Sequence, residues 1–316
     1  MRFATLSHLM DEKTIKQIPK EWIHEKLIVS PEFNFSGTRG YILGLMLTSR
    51  QMINSSKEAV RQKILGAVLF AQDDLGVEII QLGALTTSVT SGGKWLVEQN
   101  KYKGFTNHGD SYTAAVTCQA VKKAINLQGK NPSELILAVV GAYGIIGEAV
   151  SKILVPQFKH SILIGRRDIK LKELESRLTG KFETSIYLKT KEADIIVTAT
   201  SHPTALLNAK HLKNNSVVVD VSQPPNLSQE VYIERPDIVR IDGGYVNYPS
   251  RYSFPLPGMP PGKCFSCMAE VIMQAMENEH QNHVGSIDIK HLKKTEKWGE
   301  KYNLTLKELT NFGNKI

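Results

Sequence analysis

The chain has 316 residues, of which 41% are hydrophobic, so it can bury the cores of about two domains. Its three cysteines are too few and odd in number for a disulfide framework, and its longest apolar stretch, residues 40–47, is far too short to span a membrane. The formal charge of +8 favours acidic partners, but no nucleic-acid-binding motif accompanies it. Since the N-terminus also lacks the apolar core of a signal peptide, we expect a cytoplasmic protein that binds no nucleic acid.

Strand and helix patterns first alternate in the N-terminal part of the chain. Residues 1–10 read as a short strand, and residues 57–72 place apolar side chains at helical spacing. A glycine follows this helix, and residues 77–85, "VEIIQLGAL", then read as a buried strand. We therefore predict an α/β domain over residues 1–129.

A second and more regular alternation begins near residue 130. Apolar runs of strand length are followed by helical patterns with short connections, which is typical of a doubly wound parallel sheet. The predicted strands are 135–141, 161–165, 193–200 and 216–222, and the predicted helices are 142–154, 171–178 and 206–213. These patterns predict a Rossmann-like domain over 130–247, followed by a proline-rich loop and C-terminal helices over 248–316.

A glycine-rich turn joins the first strand and first helix of this second domain. The sequence "GAYGIIG" places Gly141, Gly144 and Gly147 between them. Glycines at these positions let the chain turn sharply, let the backbone approach a pyrophosphate, and let the helix pack closely. The alternative is a tight turn that binds nothing. We predict a dinucleotide site in which Tyr143 and Ile145 also take part.

The end of the next strand bears on which dinucleotide would bind. An NAD site usually has an acidic residue there, whereas this chain has Arg166 and Arg167, followed by Asp168. Guanidinium groups match a phosphate dianion, so the pattern favours the 2′-phosphate of NADPH, although ordinary solvated surface arginines are the alternative. Thr200 and Ser222 follow two later strands, and we expect them to line the same cofactor site.

Two of the three cysteines, Cys264 and Cys267, stand together before a helical pattern. A helix that begins near Ser266 would place Cys267 in its first turn, where the helix end favours a thiolate with a lowered pKa. Four interpretations remain open on this spacing: a nucleophile, a zinc half-site, a redox dithiol and two small core residues. No second ligand pair supports zinc, so we expect no metal site.

The strings "KCFSCMAEVIMQAME", "AVVGAYGIIGEAV", "ADIIVTATSHP" and "VEIIQLGALTTSV" resemble the cyanobacterial long-chain acyl-[acyl-carrier-protein] reductases. The resemblance runs from "LSHLMD" near the N-terminus to the last helix. It implies that an acyl group passes from acyl carrier protein or coenzyme A to a cysteine and is then reduced by NADPH to an aldehyde. On this resemblance, the nucleophilic cysteine is Cys267.

The sequence departs from that family at two positions. Tyr143 stands where the family's glycine turn usually carries threonine, and Tyr112 stands where members tend to carry histidine. Four residues in polar loops are further candidates for a catalytic role: His8, His108, Asp110 and Ser111. Each of them is also readily explained as a surface or capping group, and Glu270 is expected on the helix surface or supporting its first turn.

The predicted function is therefore NADPH-dependent reduction of an acyl thioester to an aldehyde through an acyl-enzyme on Cys267. Two other functions remain open. One is a shikimate-dehydrogenase-like NADP-dependent dehydrogenase that uses no thiol, and the other is a dinucleotide-binding regulator that catalyses no reaction. The acyl chain length, the carrier, the metal dependence and the oligomeric state are not predicted.

Overall fold

The computed structural model describes residues 1–25, 27–202, 204–249, 254 and 256–316. Pro203, the last residue of the string "ADIIVTATSHP", and Pro255, in the predicted proline-rich loop, fall outside the described residues.

The described chain divides into two compact units. The first comprises Met1–Tyr112 and Val246–Thr305, and the second comprises Thr113–Tyr245 and Leu306–Ile316. This division differs from the three predicted segments, 1–129, 130–247 and 248–316. Most of the residues after position 247 belong to the first unit, and residues 113–129 belong to the second.

Short strands and helices alternate along most of the chain. The strands are β1 (Phe3–Leu9), β2 (Ile23–His24), β3 (Leu27–Val29), β4 (Phe33–Phe35), β5 (Thr38–Thr48), β6 (Ile79–Leu82), β7 (Phe105–Asn107), β8 (Ile136–Val140), β9 (His160–Ile164), β10 (Phe182–Ser185), β11 (Ile195–Thr198), β12 (Val217–Asp220), β13 (Val239–Asp242), β14 (Tyr245–Asn247), β15 (Lys263–Phe265), β16 (Thr310–Asn311) and β17 (Asn314–Lys315). The helices are α1 (Ser49–Asn54), α2 (Lys57–Asp73), α3 (Leu85–Val89), α4 (Lys94–Glu98), α5 (Asp110–Leu127), α6 (Ile145–Leu154), α7 (Asp168–Glu175), α8 (Gln229–Glu234), α9 (Ser266–Met276) and α10 (Ile289–Tyr302).

The first unit is built on a mixed sheet with the strand order β2-β3-β5-β1-β6-β7, in which β4 also pairs with β5. Strand β1 pairs in parallel with β5 and β6. Side chains alternate across β1, so Ala4 and Leu6 join one hydrophobic cluster together with the buried residues of α2. The predicted first strand and the predicted helix over 57–72 are confirmed.

The second unit contains a six-stranded sheet in the order β10-β9-β8-β11-β12-β13. All of its neighbouring strands pair in parallel. The strands β11 and β12 are buried along their whole length, as expected for strands covered on both faces. The doubly wound fold is confirmed. The strand order reverses beside β8, which is where folds of this type bind their ligands.

One predicted helix of the second unit is wrong. Residues 206–213 contain only a single 3-10 turn at Ala209–His211. The Asn208 side chain caps this turn, and the carbonyl of His211 accepts a hydrogen bond from the Thr190 hydroxyl at 2.7 Å. The backbone is extended at Asn208 before the turn and at Leu212 after it, so the helical conformation is confined to this one turn.

The two C-terminal helices pack on each other within the first unit. Helix α9 begins at Ser266, as predicted, and its side chains are largely buried. Helix α10 buries one stripe of residues, and the lysines Lys293 and Lys297 on its other side are exposed. Within the described part of the chain, each helix is too short or too polar to cross a bilayer.

Candidate active site

The glycine turn after β8 is closely packed. Gly141 has a φ of +87°, and a Cβ atom at this position would collide with the carbonyl oxygen of Ala199. A Cβ on Gly147 would collide with the carbonyl oxygen of Gly141. Side chains at either position would therefore fill the turn or push α6 away from it, so both positions need glycine.

The turn leads into the N-terminus of α6. Gly144 precedes the helix in an extended conformation without a capping side chain, and Ile145 is the first helical residue. The first N–H groups of α6 therefore lack a side-chain acceptor from the capping position, which suits an approaching phosphate. The predicted cofactor residues at this turn fit a bound pyrophosphate.

Tyr143 connects the turn to the end of β9. A Cβ on Gly165 would collide with the Tyr143 ring, and the Tyr143 hydroxyl accepts a hydrogen bond from the Arg166 backbone N–H at 3.1 Å. The side chains of Arg166 and Arg167 are exposed. Asp168 forms an ion pair with Lys172 at 2.7 Å within α7. Arg166 and Arg167 are therefore exposed beside the turn. The carboxylate of Asp168, which follows them, is paired with Lys172.

Thr200 and Ser222 belong to one hydrogen-bond network in the second unit. The Thr200 backbone N–H donates to the Ser222 hydroxyl at 3.0 Å, and both hydroxyl groups donate to the side-chain oxygen of Asn226. The Ser222 backbone N–H in turn donates to Asp220. These contacts fix the loops after β11 and β12. The two residues are placed at the predicted edge of the sheet, and a role in cofactor binding stays a prediction.

In the first unit, Cys267 is the second residue of α9 and is partly buried. It packs against Gly109, which precedes α5: a Cβ on Gly109 would lie only 2.6 Å from the Cβ of Cys267. Gly109 also has a φ of +70°. Glycine at position 109 therefore allows the two helix N-termini to meet at the thiol.

The expectation that the helix end lowers the pKa of Cys267 is wrong. Burial, together with the carboxylates of Asp110 and Glu270, raises the pKa of Cys267 to about 12. The backbone N–H groups at the start of α9 act in the opposite direction but are outweighed. The loss of hydration destabilises the thiolate by more than the N–H groups at the start of α9 stabilise it. Cys267 is therefore a neutral thiol near pH 7.

Asp110 and His108 lie close to this thiol at the start of α5. Burial raises the pKa of Asp110 well above its ordinary value, and the nearby Glu270 charge adds to the effect. The Asp110 backbone N–H donates to Nδ1 of His108 at 2.9 Å, so the neutral ring carries its proton on Nε2. Burial lowers the pKa of His108 to about 4. His108 is therefore an uncharged hydrogen-bond donor.

Glu270 is fully buried, in contrast to the expected position on the helix surface. One carboxylate oxygen accepts from the Tyr112 backbone N–H at 2.7 Å, and the other accepts from Nε2 of His291 at 3.2 Å. Burial raises the pKa of Glu270, but the hydrogen bonds from His291 and from the Tyr112 N–H help to lower it by more, so the net pKa lies below its ordinary value. Glu270 is therefore a buried anion that ties the start of α5 to α10.

Three other residues that the sequence singled out are buried in the fold. His8 is buried: its Nδ1 donates to the Leu9 carbonyl at 2.7 Å and its Nε2 accepts from the Leu85 N–H at 3.3 Å. Ser111 is buried as well. The Tyr112 hydroxyl donates to the Leu304 carbonyl at 2.5 Å, which anchors a fully buried ring.

The other two cysteines behave as core residues. Cys264 is fully buried and Cys118 nearly so, and all three cysteines are free. Burial, together with the neighbouring Cys267, raises the pKa of Cys264 well above its ordinary value. A dithiol or a cysteine-based zinc site is therefore not supported, and Cys267 is the more exposed thiol.

Sequence reasoning missed Glu270, His283 and His291 as parts of the site. The spacing of Glu279 and His283 in "ENEHQNH" resembles a metal-ligand spacing, but Glu270 and His291 stand on different helices. Only the packing of α10 on α9 brings the last two together.

Comparison with known proteins gives a family model and two relatives that match the chain. Residues 123–242 match the family model described as shikimate/quinate 5-dehydrogenase. The chain is 27% identical to the long-chain acyl-[acyl-carrier-protein] reductase of Synechococcus elongatus over 87% of its own length and 79% of that protein. It is also 25% identical to aminotransferase PigE of a Serratia species over 83% of its length, but the match covers only 32% of PigE.

Among solved structures, L-tryptophan dehydrogenase from Nostoc punctiforme matches with a TM-score of 0.41 and 11% identity, over 76% of this chain and 70% of that one. The family model and the glycine turn coincide on the six-stranded sheet. The second unit is thus an oxidoreductase-type nucleotide domain, and NADP(H) is its indicated cofactor.

Proposed function

We propose that the protein reduces an acyl thioester to an aldehyde through a covalent acyl-enzyme on Cys267. The observation that carries this proposal is the position of the partly exposed Cys267 thiol, at the start of a helix and packed against Gly109, the residue before Asp110. The similarity to an acyl-[acyl-carrier-protein] reductase over most of the chain supports the same chemistry.

Attack by Cys267 requires removal of its proton. Since the pKa of the thiol is about 12, little thiolate exists near pH 7, and a base must take the proton as the sulfur attacks. Asp110 fits this role because burial raises its pKa and so makes its carboxylate a stronger proton acceptor. We assign Asp110 as the general base for acylation.

The oxyanion that forms on the acyl carbon needs hydrogen-bond donors. The first turn of α9 offers backbone N–H groups near Met268 and Ala269, and its N-cap residue, Phe265, supplies no capping side chain. Such preorganised donors stabilise a developing negative charge. Collapse of this intermediate breaks the thioester C–S bond and leaves the acyl group on Cys267. The carrier departs as a thiolate that takes its proton from solvent, so Asp110 keeps the proton of Cys267.

The second half-reaction converts the acyl-enzyme into aldehyde and free thiolate. NADPH, when bound to the second unit, supplies the hydride that this reduction consumes. Cys267 then regains its proton, and protonated Asp110 is the matching donor. Covalent attachment to one sulfur holds the acyl carbon in a fixed position for both half-reactions.

The substrate class follows from the thiol chemistry and from the charge. The chain carries a net charge of +8, and exposed lysines stand on α10. A basic surface favours encounters with an acidic acyl carrier protein or with the phosphates of acyl-coenzyme A. We therefore propose an acyl thioester of one of these carriers as the substrate and expect the protein in the cytoplasm.

A dehydrogenase without thiol chemistry is the second candidate, and the match of residues 123–242 to the shikimate/quinate dehydrogenase model favours it. That match covers the nucleotide domain alone, so a shared cofactor is enough to explain it. Such an enzyme would retain its turnover after replacement of Cys267. A regulator that only binds the dinucleotide would form no acyl adduct.

The test is intact mass spectrometry of the protein mixed with acyl-coenzyme A in the absence of NADPH. We expect the mass to rise by one acyl group, and the added mass to disappear as aldehyde is released when NADPH is supplied. Cys267→Ser should abolish thioester-dependent aldehyde formation, whereas the matched change Cys264→Ala should leave the adduct in place, since Cys264 is a core residue. Aldehyde formation by the Cys267→Ser protein at the wild-type rate would refute the proposal.

A further inference from the structure

The segment between α9 and α10 brings three potential metal ligands together in the first unit. Glu279 and His283 lie in this segment, and His291 lies in the first turn of α10. All three line one cavity of about 320 Å³. The side chains of His283 and His291 are only 8% and 7% exposed, and that of Glu279 is 14% exposed. The cluster is therefore built into the fold rather than scattered over its surface.

The donor atoms have a spacing close to that of a single-ion site. One ligand atom from each residue lies within 4.8 Å of the other two, and Nε2 of His283 is 3.4 Å from Oε2 of Glu279. Ligands at about 2.0–2.1 Å from a tetrahedral zinc ion stand roughly 3.3 Å apart. The His283 and His291 rings are stacked with their centroids 3.4 Å apart, so binding of one ion requires the rings to turn until a nitrogen of each points at it.

Outer hydrogen bonds hold two of the three ligands in place. Nε2 of His291 donates to the buried carboxylate of Glu270 at 3.2 Å, which leaves Nδ1 of the ring to face a metal. Lys294 donates to Oε1 of Glu279 at 2.6 Å, so the other oxygen, Oε2, is the one directed at His283. A metal-binding histidine that also donates to a carboxylate is the usual arrangement in metal sites.

The backbone around His283 is also fixed. Its N–H donates to the Thr106 carbonyl at 2.8 Å, and its carbonyl accepts from the His108 N–H at 3.1 Å. These bonds extend the edge of the sheet beside β7 through a bridge with Asn107. A ligand held on a rigid strand edge loses little freedom when a metal binds.

We infer that Glu279, His283 and His291 bind a divalent transition metal of the zinc type, with a fourth position open toward the cavity. Two imidazoles and one carboxylate suit zinc and its neighbours better than magnesium or calcium, which prefer oxygen ligands. The open cavity leaves room for water or a small ligand in the fourth position. This inference stands independently of the thioester chemistry.

The experiment uses the full chain after treatment with a chelator and desalting. Zn²⁺ is titrated by calorimetry, and Co²⁺ is added to a second sample for its visible absorption, which reports tetrahedral coordination. We expect a stoichiometry near one for the wild-type protein. The matched control is His280→Ala, which removes an exposed histidine of the same segment that lies outside the cluster.

Substitution of the ligands distinguishes this site from binding elsewhere. Glu279→Gln and His283→Ala should each weaken Zn²⁺ binding by more than the roughly 10–100-fold that follows loss of an outer partner, and Glu270→Gln should fall within that range. Circular dichroism checks that each variant is folded. Wild-type protein that binds no Zn²⁺ at millimolar concentration, or folded ligand variants that bind it unchanged, would overturn the inference.

Discussion

At the scale of single residues, Cys267 is governed by its surroundings more than by its place on a helix. The start of α9 does offer N–H groups to a thiolate, but burial and two nearby carboxylates raise the pKa of the thiol to about 12. A site of this kind keeps the sulfur protonated until a substrate and a base are in place. Uncontrolled oxidation or alkylation of the resting enzyme is then slow.

This pKa makes a testable prediction about alkylation of Cys267 by iodoacetamide. Only the thiolate reacts, and its fraction rises about tenfold per pH unit as long as the pH is below the pKa. We therefore expect the logarithm of the rate to rise linearly from pH 7 to pH 10 without a plateau, measured by mass spectrometry of the labelled protein. A plateau near pH 8 would contradict the raised pKa.

Asp110→Asn is the informative variant in that measurement, with Cys267→Ser as the control that removes the label. Loss of the Asp110 carboxylate removes a charge that raises the thiol pKa, so alkylation at a given pH should become faster. Acylation by the thioester should nevertheless become slower, by about 10²–10⁴-fold, because the base is lost. A purely structural role for Asp110 would not change the two rates in opposite directions.

The resemblance, and not the cysteine spacing, led to the prediction that Cys267 is the nucleophile; Asp110 and His108 were candidates beside it, but the buried pair of Glu270 and His291 was not predicted. Cys267 is identified by a resemblance and by its place before a helical pattern, both visible in the sequence. The hydrogen bond between Glu270 and His291 joins residues on two helices and depends on how α10 packs on α9. The spacing of residues along one helix does not show which other helix will pack on it. Glu270 was therefore expected on the helix surface, although it is fully buried.

At the scale of elements, the strands of the second unit were the most predictable part of the fold. Strands buried on both faces leave continuous apolar runs, and β8, β11 and β12 were all found from such runs. The failure at residues 206–213 has a local cause, because the backbone is extended at Asn208 before the turn and at Leu212 after it. Apolar spacing does not reveal such changes of backbone conformation.

The loop between β9 and α7 is predicted to determine the preference for NADPH over NADH. Arg166 and Arg167 are exposed beside the glycine turn, where a 2′-phosphate would be recognised. Replacing both with alanine should weaken NADPH binding about 10–100-fold, the loss expected for hydrogen bonds to a charged group, and leave NADH binding nearly unchanged.

Fluorescence titration with the two cofactors measures this difference. Lys170→Ala is the matched control, since Lys170 is a cation of the adjacent helix that is paired with Glu173 at 2.7 Å. Equal weakening of NADPH and NADH binding in the double variant would show that Arg166 and Arg167 do not recognise the 2′-phosphate.

At the scale of the whole molecule, the net charge of +8 is the property that bears on partners. A positive molecule attracts an acidic carrier protein over distances of about a Debye length, roughly 10 Å at 0.1 M salt. Lys293 and Lys297 are both exposed and stand one turn apart on α10, so they form a basic edge of the first unit. Such rim charges act on association more than on the chemical step.

Charge reversal on α10 should therefore raise KM for a substrate on an acidic carrier protein and leave kcat unchanged. The double variant Lys293→Glu and Lys297→Glu removes attraction and adds repulsion at the proposed docking edge, and the difference from wild type should shrink between 50 and 300 mM salt as screening increases. Lys210→Glu, an exposed lysine of the second unit, is the single-site control. If the control raises KM as much as the α10 variant, total charge alone steers the carrier and α10 is not its docking edge. If KM is unchanged in the α10 variant at low salt, the carrier does not approach this helix.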